Sequence, residues 1–180
     1  MSGILADNTG RASGLLKAPA GGATLQFKQT IKTDTQTFSA STTNADITGL
    51  SVTLTPTVVT SKILVRFMVS HWGNDSHCQI MKSVGGGGYS IISPPSSYGS
   101  RTPTHSGGSH RDIYELNTAT MEVLDDHDTT SEIIYKMTFN NGPAGGGSGY
   151  INRTDNNSDS GNGERGISQI SATEIAVGVL

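Results

Sequence analysis

The sequence predicts an all-β protein, an antiparallel β-sandwich or jelly roll behind an extended N-terminal arm. Apolar residues recur at every second position in several short stretches, and clusters of Gly, Pro, Asn, Asp and Ser separate those stretches. No segment carries a long apolar stripe at a period of 3.6. Eight or so short strands with polar turns and no alternating helices imply two sheets packed on one core. At 180 residues and 18.8 kDa the chain has the size of a single domain.

Residues 1–23 stand apart as the arm. Ile4, Leu5, Leu15 and Leu16 are scattered among glycines with no period of two or 3.6, so the segment buries too little by itself to repay its ordering entropy and is expected to order by docking. Residues 24–180 are expected to form the sandwich. Leu25, Phe27, Gln29 and Ile31 alternate with Thr24, Gln26, Lys28 and Thr30, the pattern of a half-buried strand. The alternation returns at Leu50, Val52 and Leu54 before Pro56, and most clearly at Ile63, Val65, Phe67 and Val69. Further strands are expected at His77 to Val84, Ser90 to Ser93, Arg111 to Leu116, Thr120 to Leu124, Glu132 to Phe139, Tyr150 to Arg153 and Ile167 to Val177. Ile113, Leu116, Thr120 and Leu124 approximate a helical spacing, against which Thr118 and Thr120 favour a strand.

Composition excludes several classes. The chain has 22 serines, 22 threonines and 23 glycines, 67 residues in all, against 33% hydrophobic and 15% charged. Its apolar runs fall far short of the roughly 18 residues that cross a bilayer, and its start lacks the basic and apolar regions of a signal peptide, so neither a membrane span nor an export signal is expected. A net charge of −3 without a Lys/Arg run argues against a nucleic-acid partner. A single cysteine, Cys78, excludes an internal disulfide framework and a Cys-rich zinc site. No repeat of roughly 20 to 50 residues points to a β-helix or propeller.

The chemistry-bearing patterns are weak. No Gly-x-Ser-x-Gly occurs, and Gly147-Ser148-Gly149 lies in a glycine loop without a following helix, so no catalytic residue is assigned and no enzyme activity expected. The stretch Asp155 to Gly161 starts like a calcium loop, but its glycine comes one position late and Gly166 stands where a bidentate Glu is needed. Asp125-Asp126-His127-Asp128 reads as a solvated hairpin tip, with cation binding left open for both stretches. His77 and Cys78 fall on opposite faces of a strand, which spoils a metal site with His71 and leaves Cys78 as a small buried apolar residue. No metal or cofactor is expected. The glycine runs open no helix and precede no Lys-Ser/Thr, so they do not cradle phosphate. Trp72, Tyr98 and Tyr150 adjoin polar loops and are the candidates for stacking on a sugar, or alternatively cap the ends of the core.

Thr48-Gly49-Leu50-Ser51-Val52-Thr53-Leu54-Thr55-Pro56, followed by Ser61-Lys62-Ile63-Leu64-Val65, resembles a module of small virion proteins of tailed bacteriophages, particularly those of aquatic bacteria. Val123-Leu124-Asp125 before Thr129-Thr130-Ser131, then Gly149 to Arg153, and last Ile167 to Ile175 follow that module's order, and Gly3-Ile4-Leu5 to Asp7-Asn8 with Gly14-Leu15-Leu16-Lys17 resembles its arm. The resemblance implies a jelly-roll-like sandwich, usually a homotrimer, exposed on the virion as a tail fibre, head fibre or capsid decoration. It implies assembly in the host bacterial cytoplasm, no enzyme activity and no cofactor. Its expected partners are further copies, other capsid or tail proteins docked through Ile4, Leu5, Leu15 and Leu16, and a host surface glycan. The loop Pro94 to His110 is the candidate recognition surface. The rival reading is a soluble lectin-like module using Trp72, Tyr98 and Tyr150.

Overall fold

The computed structural model describes residues 22–73, 75–94, 96, 99, 102–108, 113–142, 147–158, 161 and 163–177. The arm residues Ile4, Leu5, Leu15 and Leu16, together with Tyr98, His110 and Asp159, lie outside them. The strands are β1 (Thr24–Lys32), β2 (Gln36–Phe38), β3 (Ala45–Leu54), β4 (Lys62–Trp72), β5 (Ser76–Val84), β6 (Ser90–Ile91), β7 (Ser106–Gly108), β8 (Asn117–Asp125), β9 (Ile133–Asn141), β10 (Gly149–Ile151) and β11 (Ser168–Ile175).

Every strand pairing is antiparallel. The first sheet runs β1-β11-β4-β8, with β10 beside the end of β4 and β2 on β10. The second runs β3-β9-β5, with β6 and β7 both beyond β5. The chain crosses between sheets from β2 to β3, β3 to β4, β4 to β5, β7 to β8, β8 to β9 and β9 to β10, the wiring of a jelly roll. No described residue is helical.

Period-two apolar runs fill the space between the sheets. Ile63, Val65, Phe67 and Val69 of β4 face Ile133, Tyr135, Met137 and Phe139 of β9, and all eight are buried. Each contributes about 1.5 to 3 kcal/mol by leaving water. On β3 the register slips between Asp46 and Ser51, where Gly49 takes a φ of +75°, and the bulge lets both Ile47 and Leu50 turn inward. Asn152, fully buried at a φ of +61°, ties the end of β10 to β1 and β11, with neither of which β10 shares a ladder. Its Nδ2 donates to the carbonyls of Lys32 and Asp34, both at 2.9 Å, while its Oδ1 accepts from Ser168 Oγ at 2.6 Å.

Three expectations are corrected. The face of β1 that carries Phe27 and Ile31 points to solvent, each more than half exposed, while Gln26, Thr30 and Lys32 point inward. The inner partners there are polar: Gln26 Nε2 donates to Thr55 O at 2.7 Å and Thr30 Oγ1 to Ser51 O at 2.6 Å, bonds an apolar side chain cannot make. The strand expected at Arg111 to Leu116 is not formed over its described residues 113–116, where the Leu116 amide is taken by the Glu164 carboxylate at 2.7 Å, and the strand expected at Thr120 to Leu124 starts at Asn117; Arg111 and Asp112 lie outside the described residues. Finally, of the expected solvated tip Asp125 to Asp128, Asp126 and Asp128 are exposed but Asp125 and His127 are buried.

Candidate functional site

Near one end of the sandwich β10 sets Tyr150 beside Trp72, with ring centroids 5.7 Å apart, and the Arg153 guanidinium lies 3.6 Å from the Tyr150 centroid. Trp72 is only 5% exposed and meets Tyr150 rather than solvent, which fits its alternative reading as a cap on the end of the core. Tyr150 is half-buried. The structure brings these two predicted residues together. The described part of the candidate recognition loop, residues 102–108, is bound along β5: Gln79 Nε2 donates to Pro103 O, and the backbone N–H of His105 donates to Cys78 O at 3.1 Å. His105 Nδ1 accepts from the Ile80 amide at 3.1 Å and Nε2 donates to Ile92 O at 2.8 Å, while burial holds the imidazole below its ordinary pKa.

Sequence reasoning missed two buried polar clusters. Glu174 is fully buried on β11. Its Oε1 accepts from Thr57 N at 2.8 Å, Thr57 Oγ1 at 3.0 Å, Val58 N at 3.3 Å and Ser61 Oγ at 2.6 Å, and its Oε2 accepts from Gln26 Nε2 at 2.6 Å. Burial pushes this carboxyl up, but the donors of Ser61, Gln26 and Thr57 outweigh it and hold the group below its ordinary value. His127 Nε2 lies 3.1 Å from Ser61 Oγ, so a Ser–His–Glu grouping exists. Its hydroxyl is buried and sits closer to the carboxylate than to the imidazole, a geometry that fastens the 55–61 loop to β11 rather than readies a nucleophile. In the second cluster Asp125 of β8 accepts from Lys82 Nζ of β5 at 2.8 and 2.9 Å and from Tyr135 OH of β9 at 2.6 Å, linking the two sheets.

Cys78 is fully buried, as its alternation requires, and burial pushes its thiol up to about 12. Among the described residues no three His, Cys, Asp or Glu side chains are placed to hold a metal ion.

The outer face of the first sheet is open to solvent. Strand register rules it in rows: Phe27, Thr173, Leu64 and Leu124; then Gln29, Ser171, Arg66 and Glu122; then Ile31, Gln169, Met68 and Thr120. Two rows with large apolar side chains thus flank one polar row, in which Arg66 Nε meets Glu122 Oε2 at 2.7 Å. A shallow groove crosses this face between Phe27, Arg66, Met68, Glu122, Gln169 and Ser171. Gly22 N donates to Ala176 O at 2.7 Å and Ala176 N to Ala23 O at 2.8 Å, so the stretch that leads into β1 continues the β1–β11 ladder at the rim of this sheet. A period-two pattern marks both faces of β1 alike, and the outward choice was not readable before the polar partners on β3 were known.

No protein-family model matches the sequence, and no curated protein matches it significantly. Among solved structures, the chain is similar to the infectious bursal disease virus Gx strain structure, at 9% identity and a TM-score of 0.41, over 89% of this chain and 39% of that one. It is also similar to the infectious bursal disease virus VP2 subviral particle, at 9% identity and a TM-score of 0.40, over 85% of this chain and 38% of that one. The chain spans about two fifths of the length of either.

Proposed function

We propose that this chain is a non-enzymatic structural protein of a bacteriophage virion, a fibre or capsid-decoration component. Its sandwich trimerises, and residues 1–23 dock it on the particle. The observation that carries this reading is the outer face of the first sheet: on a sandwich with a closed core, Phe27 and Leu124 in one row and Ile31 in the row beyond the polar one are each more than half exposed. Large exposed apolar side chains gathered on a regular sheet are what an assembly surface presents. Sequence resemblance supplies the setting, and a polar, glycine-rich surface with one such face suits a protein that functions by packing against copies of itself and other virion proteins. Host-glycan contact, where the protein contributes it, falls to the loop Pro94 to His110 with Tyr98, and to Tyr150.

Removing residues 2–17 is expected to abolish incorporation into particles, scored by mass spectrometry of purified virions, while the circular dichroism of the isolated chain stays that of a β-sandwich. Undiminished incorporation of the truncated chain contradicts the docking role. Glycan-array binding that is lost in a Tyr150→Ala variant, by a chain that never enters particles, would replace this reading with the lectin-like one.

A further inference from the structure

Sheet edges expose unpaired backbone N–H and C=O groups, and proteins blunt them with bulges, short strands, inward charges or covering groups. Nearly every edge of this sandwich is blunted. β1 has a register irregularity between Thr24 and Gln26, carries Lys28 on its inner face, and is clasped by Thr30 to β3 and by Gln26 to Thr55 just beyond it. β3 carries the bulge at Gly49. β2, β6 and β7 are two or three residues long. β8 differs. It is nine residues long and runs in unbroken register with β4 from Asp125↔Ile63 to Asn117↔His71.

Beyond β4, no described residue bonds to the backbone of β8. No charge in the middle of this strand faces inward, where Ala119, Met121 and Val123 lie. Met121 is 42% exposed although it shares the inner face with the buried Phe67. Asp125, the one inward charge, is at the strand's end and already bound to Lys82 and Tyr135.

We infer that β8 pairs antiparallel with β8 of a second copy about a two-fold axis perpendicular to the sheet, joining the two first sheets into one. Such an axis keeps inner side chains opposite inner ones, so the register must centre on a residue. Centring on Glu122 sets two carboxylates opposite each other, which is unfavourable. Centring on Met121 uses all nine residues. Met121 then meets its own counterpart, Thr120 meets Glu122, Ala119 meets Val123 and Thr118 meets Leu124. The inner pairs extend the core over the rim where Met121 is bare. The contact rests on the assembly reading above and adds a two-fold to the expected three-fold.

The test uses the full-length chain. The native thiol, Cys78, is fully buried, so a cysteine placed in β8 is the reactive one. Met121→Cys is expected to form a covalent dimer under mild oxidation, since facing residues in antiparallel strands lie roughly 4.5 to 5.5 Å apart at Cα, within disulfide range. Leu124→Cys is expected to form none, because its own counterpart lies about six residues, or roughly 20 Å, along the strand. Met121→Lys, an inward charge on the open edge, is expected to halve the mass measured by light scattering with an unchanged circular dichroism spectrum. Failure of Met121→Cys to cross-link, equal cross-linking of Leu124→Cys, or an unchanged mass for Met121→Lys overturns the contact. A wild-type trimer indifferent to Met121→Lys overturns the contact and leaves the assembly reading standing. A wild-type dimer split by it supports the contact and removes the trimer.

Discussion

Glu174→Ala is expected to lower stability by about 4 kcal/mol at neutral pH, read as a fall of roughly 10 °C in the melting temperature of a domain this size. The substitution strips the acceptor from the backbone amides of Thr57 and Val58, the hydroxyls of Thr57 and Ser61 and the amide of Gln26. Hydrogen bonds to a charged group are worth about 1.5 to 3 kcal/mol each, and donors left without a partner keep their desolvation cost, while some water entry limits the total. The pH dependence has a definite sign. Because the folded carboxyl is held below its ordinary value, Glu174 stabilises fully above the ordinary carboxylate range, about pH 4.3, and loses that contribution as pH falls through the lowered folded value. Denaturant titrations of wild type and Glu174→Gln are therefore expected to differ most at pH 7 and to converge toward pH 3. A difference that stays constant across that window contradicts the assignment of a buried, ionised carboxylate.

Asp125→Ala is expected to cost about 3 kcal/mol, because it removes one partner of a largely buried ion pair and leaves Lys82 and the Tyr135 hydroxyl without their acceptor between the sheets. Lys82 retains some access to water, its side chain being 19% exposed, which keeps the cost below that at Glu174. Asp125→Asn, which preserves an acceptor for Tyr135 but not the charge, is expected to fall between wild type and Asp125→Ala. A loss under about 1 kcal/mol for Asp125→Ala, the range of a surface ion pair, would contradict the cross-sheet role.

Asp125 also shows where sequence reading succeeds and where it stops. Its run of three carboxylates looks like a solvated turn, yet the alternation through Ala119, Met121 and Val123 already aims position 125 inward, and only the identity of its partners 43 and 10 residues away was hidden. Strands built on β-branched residues were legible, since a half-buried sheet surface needs Ile63, Val65 and Val69 at every second position. The same rule failed on β1, where the inner face meets carbonyls and a carboxylate, so that Gln26 and Thr30 are the residues that fit. Cys78 was legible by alternation alone. For Trp72 the sequence left a sugar platform and a core cap both open, because nothing local to it tells that Tyr150, from a distant strand, lies beside its ring. Glu174 was invisible as a site because its donors come from residues 26, 57, 58 and 61, and only the fold gathers them.

The most direct test of self-assembly is the solution mass of the purified full-length chain by light scattering, repeated after removal of residues 2–17. A mass that is a multiple of three times 18.8 kDa, retained by the truncated chain, is the expected result for a sandwich that assembles through its own surfaces and docks by a separate arm. A mass of 18.8 kDa for both chains at every concentration would contradict it.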